Sequence, residues 1–211
     1  MRIAQKSNIM ERNFYFSNDV FITPTMLLDS ISHCYNTLDM IDSNLIANGS
    51  PKVSQLIELA NLSSIVGNLL GAGFAQYSNG LYERNKPHTY PDIIPIEPNL
   101  AGIEIKTALE TNSPKGHQPK EGYYITYRYV LTNENGEFLK GTKNRGDTVT
   151  IWEVKFGYLY SHDFSCSNTE GDSGKTAVIK TDSFNKMQLL YFDESCIPYK
   201  HTNNTPYKGY N

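Results

Sequence analysis

Apolar and polar positions follow two different periods along the chain, and the change of period divides it. Thr23-Pro24 reads as a helix start, with Thr as N-cap and Pro at the first helical position. Leu27, Ile31, Cys34, Leu38, Ile41 and Leu45 follow at steps of four or three. That spacing is one stripe on one helix face. It is either a core-facing stripe or a seam between two subunits. Gly49-Ser50-Pro51 ends this helix. A second helix is expected over about 51–70, apolar around most of its circumference from Val53 to Leu70. Residues 1–22 read as an irregular arm. After Gly71 the period shortens to short β-type runs, at 92–96, 102–107, 123–132 and 148–160. Asn135-Gly136 and 144–147 mark the turn of a hairpin between the last two. Residues 177–181 suit a short strand, and Asp182 can cap a helix or turn running through Leu190. Helices first and then a mainly antiparallel set of strands predict an α/β, mixed α+β fold.

The length of 211 residues suits a single domain over 1–211. Within it, an arm and helix fill 1–50, a core 51–132, and further strands and contact elements 133–211. Apolar residues at 39% and charged residues at 19% exclude a disordered chain. Cys34, Cys166 and Cys196 are far apart and form no CxxC, which fits neither a disulfide framework nor a zinc site. A reducing cytoplasm, of a bacterial or phage-type host, is the expected setting. No run approaches the roughly 18 apolar residues of a membrane span, so no membrane partner is expected. The 15 Tyr reflect either coding bias or an aromatic surface that grips a ligand.

The net charge of −3 is an average over unlike parts. Residues 1–105 hold 6 basic and 10 acidic groups, and residues 146–211 hold 6 and 8. Residues 106–145 hold 7 basic and 4 acidic groups, a local +3. The total therefore does not argue against a nucleic-acid partner.

The basic stretch begins beside the one cluster with chemistry in it. Tyr90-Pro91-Asp92-Ile93-Ile94-Pro95 is followed by Gly102-Ile103-Glu104-Ile105-Lys106-Thr107. Asp92 opens one apolar strand, and Glu104 and Lys106 alternate on the next, which puts both on one sheet face. If the two strands pair as a hairpin, Asp92 and Glu104 come within reach of one cation. Two hard oxygen ligands plus waters suit Mg²⁺. A Lys beside them can hold a water or neutralise charge on a phosphate.

Pro91-Asp92 followed at a distance by Glu104-Ile105-Lys106 resembles the PD-(D/E)xK nuclease superfamily. For a single-domain chain of this length the resemblance is closest to a type II restriction endonuclease. It implies a restriction-endonuclease-like core, a central mixed sheet flanked by helices, and Mg²⁺-dependent cleavage of both strands of double-stranded DNA at a short site. Asp92, Glu104 and the main-chain carbonyl of Ile105 would hold the metal, and Lys106 would orient the attacking water. Family members often carry a further acid on the helix before the sheet, and Glu58, alone in an apolar segment, is the position that fits. The helix the family places after the third strand is not evident in residues 133–160. A palindromic site cut on both strands implies a homodimer, with the stripe at 27–45 a candidate contact.

Two further segments carry donors for DNA. Lys115, His117 and Lys120 lie in a Pro- and Gly-shaped loop after Lys106 and suit phosphate contacts. Lys143, Asn144 and Arg145, with Lys140 nearby, form a second basic turn that could read base edges. The tail carries Lys200, His201 and Lys208 among tyrosines. His162, Asp163 and Cys166 lie close in sequence without further metal-binding partners. Other readings are a structure-specific repair or recombination nuclease of the same superfamily, and a non-enzymatic interaction protein with a chance motif. In the latter, Glu104 and Lys106 are simply a same-face ion pair.

Overall fold

The computed structural model describes residues 2–116, 118–167 and 176–198. The first helix, α1 (Pro24–Ala47), starts as its sequence dictates, with the Thr23 side chain accepting a 3.2 Å hydrogen bond from the Met26 amide. Its stripe is spent inside the chain. Leu27, Ile31, Cys34 and Leu38 are fully or almost fully buried in the main core. Of the two readings of this stripe, the core face is the one these four residues take, and they are not a seam between subunits.

The single second helix is also corrected. Two helices, α2 (Val53–Leu56) and α3 (Leu59–Gln76), are separated by an extended break at Ile57 and Glu58. The break has a tertiary cause. Lys52 Nζ pairs with Asp147 at 2.7 Å, Ser54 Oγ donates to the Asp147 carbonyl at 2.6 Å, and Asp42 on α1 accepts from the Val53 amide at 2.8 Å. These anchors fix α2 to a distant turn and leave α3 to start afresh.

Among the described residues nine strands follow: β1 (Tyr82–Arg84), β2 (Ile93–Pro95), β3 (Ile103–Leu109), β4 (Lys115–Gly116), β5 (Gly122–Thr132), β6 (Thr148–Leu159), β7 (Phe164–Ser167), β8 (Thr176–Ile179) and β9 (Gln188–Phe192). The main sheet has the order β1-β2-β3-β5-β6-β9, and a small sheet has the order β4-β8-β7. β3 and β5 run parallel and every other pair is antiparallel, so the main sheet is mixed. A short helix, α4 (Thr181–Lys186), is present, but Lys180 stands at its N-cap and the expected cap Asp182 lies inside its first turn; the chain then leaves it for β9 instead of staying helical to Leu190. The free edge of β6 takes Leu189 and Tyr191 into its ladder, and that pairing overrides local preference.

The protein is thus α/β, with α1 and α3 on one face of a mixed sheet and α4 with the second small sheet on the other. α1 and α3 pack on the face that carries Ile103, Ile105, Ile125, Tyr127, Val154 and Phe156, which form the main core. On the opposite face the same three strands carry Glu104 and Lys106, then Thr126 and Arg128, then Lys155 and Glu153, aligned by register. Among the described residues, no helix is long and apolar enough to cross a membrane. The three cysteines are unbridged.

Candidate active site

β2 and β3 are antiparallel neighbours joined at the pair Ile93–Ile103. The hairpin expected from the sequence is present, and it brings Asp92 and Glu104 together. Glu104 Oε2 accepts from the Asp92 amide at 3.1 Å, and Asp92 Oδ2 accepts from the Ile105 amide at 2.9 Å. Each carboxylate is thus oriented by a backbone N–H of the other strand. Past Ile103 the ladder between the two strands ends, and the Asp92 side chain takes the place of a partner strand. An extended residue presents its N–H and C=O on the same side. The Ile105 carbonyl therefore faces the same edge as the Asp92 carboxylate.

Lys106 Nζ donates to Glu104 Oε1, closing the cluster from the other side. The pair is mostly shielded, with 20% of the Lys106 side chain and 12% of the Glu104 side chain exposed. Burial raises the Glu104 pKa. The Lys106 ammonium works against that rise, and the Asp92 carboxylate adds to it. A carboxylate whose charge is costly in this way gains when a cation is bound. The donor set fits Mg²⁺, which keeps several waters and needs few protein oxygens. Among the described residues, no group of three or more His, Cys, Asp or Glu is gathered to hold a metal.

The segment from Glu110 to Glu121 returns across this polar face. It forms β4, which pairs with β8, and the Gly116 backbone passes so close to Lys106 that a methyl group there would lie 3.0 Å from Lys106 Cε. Lys115 is exposed on β4, and Lys120 is exposed at the loop's exit with its ammonium 4.6 Å from the centroid of the Tyr90 ring. His117 lies outside the described residues, as do Lys200, His201 and Lys208 in the tail.

Two expected members are elsewhere. Glu58 is exposed at the start of α3. A side chain on Gly71 would meet Ile105 and one on Gly67 would meet Thr107, so α3 runs antiparallel to β3 on the helix-covered face. From Gly71 back to Glu58 is about 20 Å of helix. The opposite face and that distance remove Glu58 from the cluster, and its isolation in sequence is explained by the helix break. Lys143, Asn144 and Arg145 form a turn at the far end of β5 and β6. The run from Thr126 to Thr132 puts that turn about 20 Å from Lys106 along the strand. Arg145 there is paired with Glu110 at 2.8 Å, and the Asn144 side chain donates to the Lys140 carbonyl at 3.1 Å.

The sequence also misled about one cation. Arg128, counted in the basic stretch, is buried and ion-paired with Glu153 between the rings of Trp152 and Phe184. Two tyrosines at the site were missed. Tyr124 stands beside Glu104 in the β3–β5 register, and Tyr90 precedes Pro91-Asp92. His162 lies 3.8 Å from Asp163, whose carboxylate instead accepts from the Ser183 hydroxyl and the Tyr160 amide. No family model matches the chain, and no curated protein matches it.

Proposed function

We propose that this protein is a Mg²⁺-dependent deoxyribonuclease that hydrolyses both strands of duplex DNA at a short specific site, in the manner of a type II restriction endonuclease. The observation that carries the reading is the reciprocal bonding of Asp92 and Glu104 through backbone amides, with the Ile105 carbonyl on the same edge and Lys106 on Glu104. A surface ion pair would not require a second carboxylate from the neighbouring strand. Asp92, Glu104 and the Ile105 carbonyl would hold the cation, which when bound would neutralise charge on the scissile phosphate. The Lys106 ammonium donates a hydrogen bond that orients the oxygen of the attacking water. The water oxygen bonds to phosphorus as its proton passes to solvent, the bond from phosphorus to O3′ breaks, and O3′ takes a proton from solvent, leaving a 5′-phosphate and a 3′-hydroxyl. Lys115 and Lys120, on the loop over the same face, neutralise flanking phosphates. Cutting both strands of a two-fold symmetric site calls for two copies of this site, hence a homodimer.

The test is digestion of plasmid and genomic DNA with Mg²⁺, followed by sequencing of the fragment ends. Discrete ends sharing one short sequence are expected. Asp92→Ala and Lys106→Ala each lower the cleavage rate by at least about 10²-fold. Cutting retained in either variant sinks the assignment of that residue, and long linear duplex left intact sinks site-specific cleavage.

A further inference from the structure

The loop that crosses the polar face is pinned at its exit by two tyrosine hydroxyls. Tyr124 Oη donates to the Lys120 carbonyl at 2.7 Å, and Tyr90 Oη donates to the Glu121 carbonyl at 2.7 Å. Tyr124 is in register with Glu104, and Tyr90 lies two residues before Asp92. Consecutive carbonyls of the loop are thus tied to β5, at the position beside Glu104, and to the segment before β2 that carries Asp92. Tyr90 makes a second contact through its ring, which holds the exposed Lys120 ammonium 4.6 Å from its centroid. The packing leaves room for this arrangement only because residue 122 is glycine. A Cβ there would lie 2.4 Å from Tyr90 Oη, and the φ of +153° is one that side chains rarely adopt.

We infer that Tyr90 is a positioning residue that presets Lys120 as a clamp for a DNA backbone phosphate at a fixed offset from Asp92 and Glu104. The inference rests on the nuclease reading above. A lysine is a flexible point charge. Parked on a ring whose hydroxyl also fixes the lysine's own loop, it has less freedom to lose when a phosphate arrives. The same tyrosine adjoins the Pro91-Asp92 turn, so the clamp and the metal ligands share one rigid reference. The phosphodiester that meets Lys120 then presents its neighbour to Lys106.

The experiment is a double-mutant cycle on cleavage and on the salt dependence of duplex binding, using Lys120→Met, Tyr90→Leu, Tyr90→Phe and the Tyr90→Leu/Lys120→Met pair. Lys120→Met is expected to raise KM about tenfold, to flatten the salt slope by about one, and to leave kcat within about threefold. Tyr90→Leu should do the same, and the pair should be no worse than either single change. Tyr90→Phe keeps the ring under the ammonium but frees the Glu121 carbonyl, and its KM should fall between those of wild type and Tyr90→Leu. Effects that multiply, a loss confined to kcat, or Tyr90→Phe as poor as Tyr90→Leu would each overturn the inference. A second readout needs no variant to fold. The Lys120 ε-methylene protons of the wild type should be shifted upfield by the Tyr90 ring current in the NMR spectrum, and an unshifted resonance overturns the inference. A wild type that cuts no duplex fells this inference together with the nuclease reading; a wild type that cuts, with a cycle that multiplies, fells this one alone.

Discussion

On one side of the main sheet, Ile103, Ile105, Ile125, Tyr127, Val154 and Phe156 meet α1 and α3 in a continuous apolar core. On the other side the same strands carry Glu104, Lys106, Thr126, Arg128, Glu153 and Lys155. Of these, Thr126, Arg128, Glu153 and Lys155 are as buried as the residues of the core. The first face is held by non-directional burial and tolerates a change of shape. The second is held by directed bonds, in which each buried charge depends on a named partner. Such a surface keeps its geometry for chemistry, and it has more to lose from a single substitution.

The largest effects should come from breaking the polar side. Glu153→Ala leaves the buried Arg128 guanidinium without its carboxylate and is expected to cost about 3–5 kcal/mol in urea unfolding. Replacing both partners, as Arg128→Met with Glu153→Leu, should restore most of that loss. A double variant as unstable as the single would show that the pair contributes shape and not charge balance.

The matching change on the apolar side, Leu70→Ala in α3, removes a fully buried side chain. About 3 kcal/mol is expected from lost burial and the cavity left behind. No partner change should rescue it, unlike the polar pair.

Lys155 gives the comparison a pH readout. Burial lowers its pKa to about 8, with Arg128 adding to the shift and Glu153 opposing it. Between pH 8 and its unfolded value the unfolded chain binds the extra proton, so stability should rise with pH by an amount on the order of 3 kcal/mol over the full window. The buried Tyr35 and Tyr127 work the other way above about pH 10, where the unfolded chain loses phenol protons that the folded one keeps. The slope is therefore read below pH 10, as wild type minus Lys155→Met. An unchanged slope in that variant would dismiss Lys155 as its source.

The smallest expected effect is at Glu104. Its raised pKa means that protons compete with Mg²⁺ as pH falls, so Mg²⁺ affinity measured by calorimetry should weaken on acidification at a higher pH than for an ordinary carboxylate. Glu104→Gln should abolish that dependence together with most of the binding. Affinity that stays flat down to pH 4 would leave Glu104 out of the metal site.

Much of this architecture was legible because it is written locally. Thr23-Pro24 and the stripe through Leu38 define α1, and alternation in Gly102–Thr107 places Glu104 and Lys106 on one face. What escaped depends on long-range contacts. The break before α3 is set by Asp147, over 90 residues from Lys52 and Ser54. The strand at Gln188–Phe192 exists because β6 offers an edge, and its residues alone allow a helix equally well. Glu58 seemed functional because it is the sole charge between Lys52 and Glu83, a statement about composition that carries no direction in space. Lys143–Arg145 was rightly seen as a turn, but its distance from Lys106 follows from the length of β5. Tyr90 and Tyr124 were invisible as site residues because their roles lie in contacts with the Lys120–Glu121 segment.

The parallel pairing of β3 with β5 acts as a ruler. A chain leaving β3 at Leu109 must travel back more than 20 Å before it can enter β5 at Gly122 beside Gly102. Residues 110–121 supply about 40 Å of extended chain for that journey, and β4 takes up part of the slack by pairing with β8. The spacing between Lys106 and Lys120 is thus set by how much chain is available to go around. A residue inserted before Pro114 can bulge outward at the Glu110 end. One inserted between Gly116 and Lys120 falls between the β4–β8 pairing and the tyrosine-bonded carbonyls of Lys120 and Glu121, and is expected to move the lysine. Indel tolerance along this single connection should therefore be lopsided, and it would mark, without any assay of chemistry, where length is under constraint.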